Sequence, residues 1–261
     1  MERVRVLGVG FDPVTLKEAG DRVESFVREG RPRLVVTPNP EIVYQAQFDP
    51  ELRRVIGEAD LVTADGTGVV WASRRVGRPV PERVTGVELG EEIMRRAAAR
   101  GYTLYLLGAK PGVADEAAQK LAAQFPGLKV VGTQHGYFGP AEEPAVLEAI
   151  REARPDLLFA GLGSPKQEKW LAAHREDLGV PVSAGLGGSF DVWAGKVARA
   201  PLLFRRLHLE WLHRLSREPR RFWRMLALPK FVLAVRRHGS SPMRGGTEAG
   251  ESNKEAPEPR E

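Results

Sequence analysis

The chain contains no cysteine. That excludes disulfides, thiolate zinc sites and a cysteine nucleophile, and it fits a reducing compartment. No GxGxxG follows any strand-like run, which argues against a dinucleotide-binding dehydrogenase, and no GxxxxGK[ST] is present. There is also no DxD, the carboxylate pair with which many nucleotide-sugar enzymes hold a divalent ion. The five histidines (His135, His174, His208, His213 and His238) form no HExxH. No essential metal is expected. No uninterrupted apolar run reaches 18 residues, so no transmembrane helix is expected. The opening MERVRVLGVGFDP reads as a strand and lacks the apolar core and small-residue cleavage site of a signal peptide.

Net positive charge is absent over most of the chain. Residues 201–238 hold nine Arg and one Lys against two Glu, a net +8, whereas the whole protein carries +5. The first 200 residues are therefore nearly neutral, which excludes a general nucleic-acid coat. Residues 239–261 are rich in Gly, Ser, Pro and Glu and read as a disordered tail.

The length of 261 residues and 42% hydrophobic content suffice for one large domain with an appendage. Strand-like runs at 4–9, 33–37, 60–64, 103–108, 129–133, 156–161 and 181–187 are mostly continuous in apolar residues, as in a parallel sheet buried on both faces. Amphipathic stretches at 14–30, 113–125 and 144–153 lie between them. This alternation predicts a Rossmann-like α/β fold, with a mostly parallel sheet and helices on both faces, over residues 1–200. Residues 201–217 and 220–237, the second interrupted by Pro229, read as basic amphipathic helices forming an appendage over 201–238. Interleaved Trp211, Phe222 and Trp223 favour the surface of an anionic bilayer. Each basic residue contributes about 1 kcal/mol there. Binding of a diphosphate by some of these arginines is a parallel reading.

Ligands of such sheets bind outside the carboxyl ends of the strands. Five strand ends carry polar or glycine-rich loops: TPNP (37–40), ADGTG (64–68), GAKPG (108–112), GLGSPKQ (161–167) and GLGGSFD (185–191). In TPNP two prolines bracket an asparagine. Asn39 is placed to cap a helix that starts at Pro40, and it or Thr37 can also hydrogen-bond a polar ligand. Asp65 is either a general base at the mouth of the sheet or a structural Asp that forms an Asx-turn or caps the helix TGVVWASRR. Ser164 and Gln167 have capping-box spacing, with Pro165 at the first helical position; the alternative is that Gln167 faces a ligand.

Taken in order, the stretches TPNPEIV, EADLVTADGTGVVWASR, PERVTGVEL, LYLLGAKPGVADEAA, GYF, LLFAGLGSPKQEKW, GLGGSFDVWAGKVARAP and EWLHRLSREPRRFWR make the chain resemble the WecG/TagA/CpsF glycosyltransferases (glycosyltransferase family 26) over about residues 1–238. Within the family the TagA-like enzymes of wall teichoic acid synthesis are the nearest in pattern. Glu88 departs from the Asp expected there. The resemblance implies transfer of a sugar, N-acetylmannosamine in the TagA-like case, from a UDP-sugar to GlcNAc on undecaprenyl diphosphate. It implies inversion, no metal and no cofactor, at the cytoplasmic face of the membrane. By the same resemblance Asp65 is the base. Thr37, Asn39, Arg83 and Gln167 line the sugar pocket, Asp191 helps bind the uridine, and Arg214, Arg221 and Arg224 of the appendage contact a diphosphate. A homodimer in solution would hide the apolar face of the appendage. The rival readings are a membrane-attached nucleotide-binding protein without catalysis and the same reaction with a uronic acid donor.

Overall fold

The computed structural model describes residues 2–197 and 226–243. It opens with β1 (Val4–Val6) and β2 (Val9–Phe11), then α1 (Leu16–Glu29), β3 (Arg33–Val36), α2 (Pro40–Gln45), α3 (Pro50–Glu58) and β4 (Leu61–Val62). After α4 (Thr67–Arg75) and α5 (Gly86–Arg100) come β5 (Thr103–Gly108), α6 (Val113–Gln124), β6 (Lys129–Gln134) and α7 (Glu143–Ala153). The core closes with β7 (Leu157–Gly161), α8 (Lys166–Ala173), α9 (Arg175–Leu178), β8 (Val182–Gly185) and α10 (Ser189–Trp193). A last helix, α11, spans Ala227–His238.

Six strands form one sheet in the order β4-β3-β8-β7-β5-β6, and every pairing is parallel. The pleat divides the apolar runs between two cores. Leu34, Val36, Leu158 and Ala160 join α2, α3, α4, α7, α8 and α11 on one face. Val35, Leu157 and Phe159 join α1, α5, α6 and α10 on the other. Continuous apolar strands are the consequence of covering both faces. The α/β class, the parallel sheet and the two helical layers are as expected.

The strand expected over 4–9 is corrected. Residues 4–11 make an antiparallel hairpin that stands apart from the large sheet, with Val6 opposite Val9. Leu7 and Gly8 both have positive φ, 49° and 78°, as a two-residue turn matching strand twist requires. Leu7 is fully buried, so an apolar residue hides the turn within the run. The hairpin is tied to the β4 edge through Asp12, whose N–H donates to Val62 O and whose carboxylate accepts from Val62 N.

The C-terminal region is also redrawn. Pro229 lies in the first turn of α11, where its missing N–H has no helical partner to lose. Phe231, Ala234 and Val235 are buried in the core, and α11 packs on α2 and α4. Beyond it, Leu7 N and Gly8 N donate to Gly239 O and Ser240 O at 3.0 and 2.8 Å, and Met243 N donates to Gln47 Oε1 at 3.0 Å. Residues 239–243 are thus held on the hairpin rather than belonging to the disordered tail. The helix expected over 201–217 and the start of the one expected at 220 lie outside the described residues.

One glycine pair brings the central strands together at their carboxyl ends. Gly108 lies opposite Gly161 and has φ +146°; a Cβ on it would sit 2.6 Å from the Gly161 backbone. Gly108→Ala therefore meets both a forbidden φ and a backbone clash. A loss of roughly 1–3 kcal/mol from strain, with a similar amount from overpacking, is expected in urea unfolding. An unchanged midpoint would show that the β5–β7 junction can open at no cost.

Candidate functional site

The candidate site lies at the carboxyl ends of β3, β4, β8 and β7. Asn39 caps α2, its Oδ1 accepting from Ile42 N at 3.0 Å with Pro40 in the first turn, as expected. This use of the oxygen leaves the Asn39 amide nitrogen as a donor. Thr37 is buried and donates to Gly185 O at 3.4 Å. Asp65 N donates to Pro38 O at 3.3 Å, so TPNP and ADG are fastened to each other. The cap position of α4 falls on Gly66 (φ +91°), with no side-chain cap; the capping reading of Asp65 is not what the helix uses. Asp65 sits half-buried at the strand mouth. Gly68 explains how the two loops come so close: a Cβ there would fall 2.6 Å from the Pro40 ring.

A second layer runs beside Asp65. Val84 N donates to Ala64 O at 3.1 Å and Thr63 Oγ1 to Val84 O at 3.2 Å. Arg83 is thereby set next to the ADG loop. Its guanidinium lies 3.6 Å from Glu88 Oε1, and Thr85 caps α5 through Glu88 N while its hydroxyl donates to the Glu88 carboxylate. The longer side chain of Glu88 is what spans from this cap to Arg83.

Gln167 enters from the other side. The expected capping box is absent: α8 starts at Lys166 with Pro165 as its cap residue and no side-chain cap. Gln167 N is instead bonded to Gly163 O at 2.9 Å, and the side chain turns inward to β8. There a Cβ on Gly185 would lie 3.0 Å from Gln167 Nε2, and one on Gly86 would lie 3.1 Å from Thr37 Oγ1. Thr37 and Gln167, 130 positions apart in sequence, thus meet on either side of Gly185.

On the β5 side, the GAKPG loop leads into α6, whose cap is Gly112 at φ +81° with no side-chain bond. Gly136 N donates to Ala109 O at 2.9 Å, which places the exposed Tyr137 beside that loop. Asp191 lies on α10, which packs on α6; its backbone carbonyl accepts from Lys196 N and Val197 N. The structure therefore gathers Thr37, Asn39, Asp65, Arg83 and Gln167 around the carboxyl ends of β3, β4 and β8, with Gln167 opposite Thr37 across Gly185, and carries Asp191 on α10, which follows β8.

Arg214, Arg221 and Arg224 lie outside the described residues. The flanks of their segment are visible, however. Val197 follows α10, at the carboxyl end of β8. The α11 helix runs parallel to α4, with Phe231 near Gly68 and Gly239 near Val76, so Leu226 emerges toward the same end of the sheet.

Reading the sequence missed Glu168. It is 2% exposed and, among the described residues, has no ion pair. Burial pushes its carboxyl above the ordinary glutamate range, against smaller opposing pulls from the Gln167 amide, its own backbone N–H and the Ser164 hydroxyl. The available signal was a Glu on the buried side of a short helix, and local pattern alone gives that no meaning. Among the described residues no group of three or more His, Asp or Glu side chains could hold a metal ion, and no helix is long and apolar enough to cross a membrane.

Residues 4–244 match the glycosyl transferase WecG/TagA/CpsF family model. The chain is 36% identical over 214 residues, 82% of each sequence, to the N-acetylglucosaminyldiphosphoundecaprenol N-acetyl-beta-D-mannosaminyltransferase of Bacillus spizizenii (strain W23). It is 34% identical over 235 residues to the protein of that name in Staphylococcus aureus (strain MW2), with 89% of this chain and 92% of the relative covered.

Proposed function

The chain belongs to the WecG/TagA/CpsF family of glycosyltransferases, and from that premise we propose that it transfers N-acetylmannosamine from its UDP derivative to GlcNAc on undecaprenyl diphosphate, without a metal, at the inner face of the membrane. The carrying observation is the convergence of Thr37, Asn39, Asp65, Arg83 and Gln167 at the ends of β3, β4, β7 and β8. The names of the two relatives support the acceptor and the sugar, and a role in the synthesis of a cell-wall polymer such as teichoic acid is part of the same proposal.

In this reading the acceptor hydroxyl oxygen attacks C1 of the α-linked donor sugar from the face opposite UDP. The bond from C1 to the diphosphate breaks, UDP leaves with the electron pair, and the hydroxyl proton passes to Asp65. One displacement inverts the anomeric carbon. Thr37, Asn39, Arg83 and Gln167 hold the sugar, which converts an encounter into an oriented attack. Negative charge grows on the departing diphosphate. The N-terminus of α6 and the arginines Arg214, Arg221 and Arg224 are the groups assigned to stabilise it. Asp191 is assigned to the uridine.

The test is UDP release, in EDTA, from a panel of UDP-sugars, with and without a lipid-diphosphate GlcNAc acceptor. Acceptor-dependent release from UDP-N-acetylmannosamine, undiminished by EDTA, is the expected result. Release from a UDP-uronic acid alone would replace the donor, and loss of release in EDTA would replace the metal-free mechanism. Binding of UDP without release from any donor would favour a non-catalytic nucleotide-binding protein.

A further inference from the structure

Gln167 and Glu168 form a buried polar pair that the reaction scheme above uses only in half. Gln167 is 3% exposed, and its Nε2 donates to Glu168 Oε1 at 2.9 Å. Gln167 Oε1 lies buried without a hydrogen-bond partner, while the Ser164 hydroxyl is close enough to the Glu168 carboxylate to pull on it. Such an unpartnered atom costs free energy unless something satisfies it. The amide also faces a surface kept bare of side chains. A Cβ on Gly185 would crowd its Nε2, and one on Gly187 would come within 3.8 Å of both Nε2 and Oε1. Thr37 borders the same Gly185 from the β3 side.

Resting on the functional reading above, we propose that Glu168 is a positioning residue. By accepting the Gln167 amide N–H it presents Gln167 Oε1 to the crevice as the acceptor for a hydroxyl or N-acetyl N–H of the transferred sugar. An amide can turn over and offer its NH2 in place of its oxygen, and the two orientations recognise opposite partners. Glu168 chooses between them because its Oε1 accepts the amide N–H. The role is one of geometry, so an acceptor oxygen at the same reach should replace the carboxyl.

Steady-state kinetics with UDP-N-acetylmannosamine and a lipid-diphosphate GlcNAc acceptor test this. Glu168→Gln keeps an oxygen at the same reach and should hold the donor KM within about threefold. Glu168→Asp keeps the carboxyl but withdraws it by one methylene; the donor KM should rise about tenfold with kcat within threefold, the pattern of lost binding common to ground and transition states. On a Gln167→Met background, Glu168→Asp should add less than about twofold, because its effect runs through Gln167. The reverse ranking, with Asp tolerated and Gln not, overturns the proposal, as do effects that multiply in the double variant. If the Asp variant does not fold, a tenfold rise of donor KM in folded Glu168→Gln is equally decisive. A wild-type protein that turns over no donor would instead overturn the functional reading and the positioning role with it.

Discussion

Asp65→Asn is expected to lower turnover by about 10²–10⁴-fold while leaving UDP binding and the unfolding midpoint close to wild type. The substitution keeps the shape of the side chain and one oxygen and removes the group that can take a proton. Its backbone anchors are indifferent to the change, since Asp65 N is bonded to Pro38 O and the cap of α4 falls on Gly66. Single-turnover release of UDP, read beside UDP affinity and a urea melt, separates the outcomes. Near-normal turnover by the folded variant would remove Asp65 as the base. A loss of UDP affinity in proportion to turnover would make it a binding residue for the donor.

Phe231→Ala is expected to cost about 3–5 kcal/mol, as for large aromatic truncations in cores. For a protein of this size that lowers Tm by roughly 6–20 °C. Phe231 is 1% exposed and its ring faces Gly68, in the first turn of the helix that follows Asp65. Loosening it should also loosen the loops that hold the crevice. The comparison is Leu233→Ala on the exposed side of the same helix, where Leu233 is 48% exposed and a change within about 0.5 kcal/mol is expected. A membrane-facing Phe231 would reverse the pattern, with Tm unchanged and binding to anionic vesicles reduced. The helix is apolar on one side and basic on the other, which suits a bilayer surface as well as a protein core; its burial on α2 and α4 decides between them.

The same division runs through the rest of the molecule. What the amino-acid order determines by itself is local. Near-continuous apolar runs such as LLFAG need a sheet buried on both faces, and the spacing of Val23 and Val27 needs a helix with one buried side. The cap at Asn39 and Pro40 is likewise complete within four residues. These features are legible because their partners lie one turn or one pleat away. The family resemblance is carried by the same kind of contiguous stretches.

Only the tertiary structure decided where those pieces meet. Leu7 reads as one more apolar strand residue until the chain turns back at Gly8 and the segment after α11 bonds to its N–H. Ser164 and Gln167 match a capping box in spacing, yet Gln167 turns to β8 because that strand lies next to β7 and ends in glycine. Glu168 has no sequence signal at all, since its meaning is its burial without a countercharge. Thr37 and Gln167 face each other across Gly185 because β8, late in the chain, inserts between β3 and β7. Periodicity acts over a few residues and can be read directly. The meeting of distant strands is set by the crossovers that cover both faces of the sheet at once, and no short stretch encodes that balance.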